Sequence, residues 1–169
     1  MNYSNLIKVG QSDGPGMRVS LFVSGCEHMC KGCFNSAAFR YDAGQPFTAH
    51  TISEIITALD DPYITGLSLL GGDPLMEKNY NDVLLLVKTA RLIFPQKTIW
   101  VWTGYTMDYV KAAYPEILLY IDAIVDGKYE RTLPAVQYRG SSNQNIWYKR
   151  NWTTHEFSIV NASEIPNLK

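Results

Sequence analysis

Four apolar runs, each ending on a glycine turn, limit how this chain folds. They are "RVSLFVSG" (Arg18 to Gly25), "ITGLSLLGGDP" (Ile64 to Pro74), "KTIWVWTGY" (Lys97 to Tyr105) and "YIDAIVDGKY" (Tyr120 to Tyr129). Runs rich in β-branched and aromatic residues, closed by turn residues, are strands. Helical patterns lie between them. Ile52, Ile55, Ile56 and Leu59 recur at helical period. Thr51 opens that helix, with Glu54 three residues on at the spacing of a capping box. Asn81 to Phe94 carries a long apolar face and stops at Pro95. Met107 to Ala113 predicts a short third helix. Beyond Tyr129 the pattern is less regular. "YRGSSNQNIWY" (Tyr138 to Tyr148) reads as a polar loop leading into a strand, and Glu156 to Val160 predicts one more. The polar start before Asp13 predicts no element.

Strands alternating with helices imply βαβ units. The expected class is α/β: a partial, open β/α barrel or open sheet, with mostly parallel strands. A complete eight-fold barrel takes about 250 residues, and this chain has 169. One domain over 1–169 is expected, with a core over 13–144 and an extension of unassigned role over 145–169. In either architecture ligands bind at the carboxyl ends of the strands. The sequence puts four special segments there. One is a cysteine-bearing loop after the first run; the others are Gly71-Gly72-Asp73-Pro74, Thr103-Gly104 and Asp126.

All three cysteines fall in "VSGCEHMCKGCFN" (Val23 to Asn35). The net charge is −1, so no strong field favours nucleic acid or an anionic membrane. There is no apolar run of the roughly 18 residues that a membrane span needs. The first residues lack the charged start, apolar core and cleavage site of a signal peptide. A cytoplasmic, reducing location is therefore expected, where thiols stay free. An odd count also argues against a disulfide framework. Cys26, Cys30 and Cys33 are spaced C-x3-C-x2-C and can face one centre. Structural zinc would need a fourth ligand from His28, His50 or His155, and His28 is awkwardly placed between two of the thiols. An incidental cluster of buried thiols is a second reading. An iron–sulfur cluster is the third: four thiolates commonly hold a [4Fe–4S], so three would leave one iron open.

At this loop the chain resembles the radical S-adenosylmethionine enzymes. In that superfamily the open iron of a [4Fe–4S] cluster chelates S-adenosylmethionine. "SDGPGMR" (Ser12 to Arg18) resembles the branch that activates glycyl radical enzymes. "GCEHMCKGCFN", "LLGGDP", "IWVWTGY", "VDGKY" and "RGSSNQ" resemble, in order, segments of the anaerobic ribonucleotide reductase activating proteins. Gly32, where many other radical enzymes carry an aromatic, points inside that family. The resemblance covers about Asp13 to Gln144. It implies Cys26, Cys30 and Cys33 as cluster ligands. It implies cofactor contacts at Gly32, Cys33, Phe34 (against the adenine), Gly71, Gly72, Asp73, Pro74, Thr103 and Asp126. It also implies a mouth for the protein substrate near Asp13, Gly14, Pro15, Gly16 and Arg18, with Arg139 and Asn143 as further partner contacts. The implied partners are the large reductase subunit, with its C-terminal glycyl radical site, and a flavodoxin-type electron donor.

Each motif also has a plainer reading. Gly71-Gly72 and Asp13 to Gly16 are turn chemistry. Asp73 fits a helix cap, Thr103 and Asp126 local caps, and Arg18 a surface ion pair. Two other functions fit the residues: a radical enzyme with another substrate, and a non-enzymatic zinc or iron–sulfur docking module.

Overall fold

A computed structural model describes residues 1–165. Strand β1 (Asn2–Gly10) pairs antiparallel with β2 (Met17–Val23). The two-residue β3 (Gln45–Pro46) lies on the outer side of β1. Helix α1 (Ala49–Leu59) leads to β4 (Ile64–Gly71), α2 (Glu77–Ile93) to β5 (Thr98–Trp102), and α3 (Met107–Ala113) to β6 (Ala123–Asp126). The antiparallel hairpin β7 (Asn145–Asn151) and β8 (Glu156–Val160) completes one sheet in the order β3-β1-β2-β4-β5-β6-β7-β8.

The expected mostly parallel sheet is corrected to a mixed one. Only β2-β4-β5-β6 run parallel, because only there does a helix return the chain to the same end of the sheet. The other four of the seven pairings are antiparallel. The terminal strands β3 and β8 do not pair with each other, so the sheet is open and not a closed barrel. Residues 145–160, set apart in the sequence reading, belong to this sheet. The unassigned start is the nine-residue β1. Its side chains are half-buried or exposed throughout, so it carries no apolar run to read.

Period-2 alternation divides the sheet into two faces. Val19, Leu21, Leu67, Leu69, Ile99, Val101 and Ile124 point to the helices and form the main core with Ile55, Leu59, Val83 and Val87. The face without helices carries Trp100, Ala123, Val125 and Ile146, packed with Trp102, Tyr138 and Tyr148. Helix α1 starts earlier than predicted. Thr48 is its N-cap and shares a capping box with Thr51, so Thr51 closes the box, and Glu54 binds Lys8 at 3.0 Å. Among the described residues no helix is long and apolar enough to cross a membrane.

Candidate metal and cofactor site

The loops after β2, β4, β5 and β6 border one cavity of about 480 Å3. Cys26, Cys30 and Cys33 line it together with Gly71, Gly72, Asp73, Thr103, Gly104 and Gly127. The cysteine loop is shaped by its backbone. Gly25 (φ 98°), Met29 (φ 50°) and Gly32 (φ 72°) all adopt left-handed conformations, and each immediately precedes a cysteine. The chain thus reverses before every thiol. Two of these positions are visible as glycines; Met29 carries no such signal, since a long side chain disfavours that region. Cys26 is buried, and burial pushes its thiol up to about 11, with the negative charge of Asp73 adding to the rise. Cys30 and Cys33 are half-buried.

Backbone zips the base of this loop to the next strand. Gly72 N–H donates to Val23 O at 2.7 Å and Asp73 N–H to Gly25 O at 2.9 Å. The buried Asn79 amide, unmarked in the sequence, donates to Ser24 O and Asp73 O. This packing changes the reason for the glycine pair. A Cβ on Gly71 would meet β2 backbone at 2.7 Å, and one on Gly72 would meet Gly25 O at 2.5 Å. The missing side chains therefore make room for neighbouring backbone, while Gly71 and Gly72 still present main chain to the cavity.

The Asp73 carboxylate is 1% exposed and fully engaged. One oxygen accepts from Leu75 N–H at 2.8 Å, so it closes a local turn, and Met76 takes the N-cap position of α2. The other accepts from Thr103 Oγ1 (2.9 Å), Gly104 N–H (2.8 Å) and His28 Nε2 (2.8 Å). His28 was visible in the sequence only as a poor zinc ligand. Phe34 stands at the cavity edge, 81% exposed, with its ring edge-on to Tyr129 at 5.6 Å. Gly32 and Pro74 lie outside the cavity wall.

Three expectations meet a different arrangement. Asp126 is buried, but its carboxylate accepts from Met107 N–H at the start of α3 and from Asn145, behind the wall. Asp13 to Gly16 precede β2 and line no part of the cavity; the segment folds back over the helix-free face, where Asp13 O accepts from Ser68 Oγ, opposite Ser20 in mid-strand. Arg18 is 0% exposed and belongs to no surface. Its guanidinium donates to Ser68 Oγ, Pro15 O, Thr98 Oγ1, Leu67 O and Thr98 O, which uses all five N–H groups. Burial pulls it down to about 10. Arg139 and Asn143 act within their own loop, donating to Gln144 O and Lys128 O. Gln144, which also lines the cavity, clamps that loop through Gly140 N–H and Gly127 O.

The donor set suits a cluster better than a single ion. Among the described residues, no three His, Cys, Asp or Glu side chains gather as ligands of one ion. His28 is committed to Asp73, and the His50 side chain is 84% exposed beside Glu54. Three thiols that each take a different iron need no such convergence.

A family model described as a 4Fe-4S single cluster domain matches residues 12–147. The chain is 45% identical over 148 residues to the anaerobic ribonucleoside-triphosphate reductase-activating protein of Enterobacteria phage T4, covering 87% of this chain and 94% of the relative. It is 46% identical over 154 residues to the protein of that name from Escherichia coli K12 (89% and 100% covered). Against the one from Vibrio cholerae it is 43% identical over 150 residues (86% and 97%).

Proposed function

This chain belongs to the family of anaerobic ribonucleoside-triphosphate reductase-activating proteins, with a 4Fe-4S domain, and from that premise we propose that it installs a glycyl radical on the large subunit of an anaerobic ribonucleotide reductase. Cys26, Cys30 and Cys33 would hold a [4Fe–4S] cluster, with S-adenosylmethionine on the remaining iron. The observation that carries this reading is the single cavity that three thiols share with the loops of three further parallel strands. When bound, the cluster and S-adenosylmethionine supply a one-electron reduction that yields methionine and 5′-deoxyadenosine and removes a hydrogen atom from a glycine α-carbon.

The chain's own residues bind, orient and shield. Each cysteine follows a left-handed residue and lines the cavity. Gly71, Gly72 and Gly104 bring main chain to the cavity wall without a side chain between; the N–H groups of Gly72 and Gly104 are spent on Val23 O and Asp73, so carbonyl oxygens are what they would offer a polar ligand. Asp73 holds three loops in register and is saturated, so it acts as a frame and not as a direct partner of the methionine amino group. Phe34 offers an exposed ring to a purine. Hydrogen-atom abstraction needs no general base, and none is proposed. A flavodoxin-type protein would deliver the electron. A reducing cytoplasm, where thiols remain free, suits three unpaired cysteines.

The test is anaerobic reconstitution with iron, sulfide, reductant and S-adenosylmethionine, with the large reductase subunit present. The expected result is a brown protein, stoichiometric 5′-deoxyadenosine and a glycyl radical signal on the reductase. A colourless zinc protein, or iron loading with no 5′-deoxyadenosine, would overturn the reading.

A further inference from the structure

The first part of the cysteine loop is tied down by backbone, through Gly25 and Cys26 N–H to Ala38 O and Phe39 O. Past Cys26, among the described residues, one hydrogen bond runs from the loop to the strand ends that face it: His28 Nε2 to Asp73 Oδ2, at 2.8 Å. We infer that His28 is the positioning residue of this site, a latch that holds the thiols in register with the loops after β4 and β5. The inference deepens the proposed function and rests on it.

Three observations converge on the latch. The acceptor is preorganised, since Thr103, Gly104 and Leu75 already fix the Asp73 carboxylate, which is buried with 1% exposure. A carboxylate accepts only, so the imidazole must carry its proton on Nε2. Space is reserved for the ring: a Cβ on Gly104 would overlap the imidazole, which leaves this position to glycine. The ring is also packed from the side, edge-on to Tyr105 at 4.6 Å and 75°. His28 sits midway between Cys26 and Cys30, so any swing of its backbone moves both thiols. The same residue that holds His28 also borders the cavity, so latch and ligand wall meet at Asp73. Residues that orient metal ligands in this way commonly contribute 10- to 100-fold to metal affinity or activity.

The test compares His28→Ala with His28→Gln, whose amide nitrogen donates from nearly the same place as Nε2. In metal-free protein the readout is the alkylation rate of the three thiols. In reconstituted protein it is S-adenosylmethionine affinity, together with the change in the reduced cluster's paramagnetic spectrum on adding it. His28→Ala should speed alkylation and weaken cofactor binding roughly 10- to 100-fold. His28→Gln should restore both to within about threefold of the parent, which loss of a merely structural residue would not allow. Gly104→Ala, which pushes the ring off from the other side, should reproduce the His28→Ala behaviour and serves if that variant does not fold. The latch is overturned if His28→Ala matches the parent in both readouts, or if His28→Gln fails as fully as His28→Ala while staying folded. Those outcomes with an iron-loaded, cofactor-cleaving parent leave the proposed function standing. A parent that takes up no iron removes both.

Discussion

The two ends of β2 carry the two most conspicuous polar motifs of the chain, and they differ in what is left to bind. At the amino end, Asp13 to Gly16 wrap a guanidinium whose five donors are all spent. Ser68 Oγ donates to Asp13 O at 2.5 Å, and Thr65 Oγ1 to Pro15 O at 3.0 Å. At the carboxyl end, backbone reverses three times and leaves two half-buried thiols and an exposed aromatic beside a cavity. Both ends use glycine turns. Only one keeps its chemistry free. A motif at a strand end is therefore judged by the hydrogen-bond account of its polar groups as well as by its residues.

The largest effect should come from Cys30→Ala. Iron retention after anaerobic reconstitution should fall to background, while urea unfolding of the metal-free protein shifts by less than about 0.5 kcal/mol, as for other partly exposed sites. Arg18→Met should do the reverse. It removes five buried hydrogen bonds, among them those to Leu67 O and Thr98 O, while Pro15 O keeps its bond from Thr65, and should cost on the order of 4 kcal/mol, read as a lowered urea midpoint. Equal loss of stability in both variants would erase the contrast between the two ends.

Gly72→Val sharpens the picture of the cavity rim. Its side chain would press on Gly25 O, so it should destabilise by roughly 2 kcal/mol and loosen the base of the cysteine loop. Iron retention and cofactor affinity should then fall together. A stable variant with its cluster intact and only cofactor binding lost would show that the glycine faces ligand and not backbone.

The smallest effect concerns a site remote from both ends. Lys149 is buried on β7, 3.8 Å from the Trp152 ring centroid, and burial pulls its ammonium down to about 8. Its ordinary value is 10.5. Between these values the unfolded chain binds the extra proton. This group therefore makes stability rise with pH from about 8 toward 10.5, and its burial cost is fully present below 8. Replacing it by methionine should flatten that rise, on the order of 1 kcal/mol, in unfolding curves taken at pH 7.5 and 9.5. An unchanged slope would count against the burial of this charge.

Much of the fold is legible in the sequence because its signals are local. Apolar runs, helical period, Pro95 and the strand-end glycines locate six of the eight strands and the three α-helices without any knowledge of contacts, and the three thiols announce metal chemistry by spacing alone. The two-residue β3 and the half-exposed β1 escape because neither carries a periodic apolar pattern. The mixed sheet escapes too, since strand direction at the edges depends on where the chain crosses over and not on composition.

The alternating elements, the three free cysteines and the family motifs that bear them follow from local sequence. Tertiary structure alone decided which polar groups remain available. Asp73 meets His28 across 45 residues and Arg18 meets Thr98 across 80. No local pattern encodes such pairs, because a buried polar group takes whatever partner the folded sheet brings within about 3 Å. That is why Arg18 became core, Asp126 a cap behind the wall, and His28, unremarkable in the sequence, the link between the cysteine loop and the strands that face it.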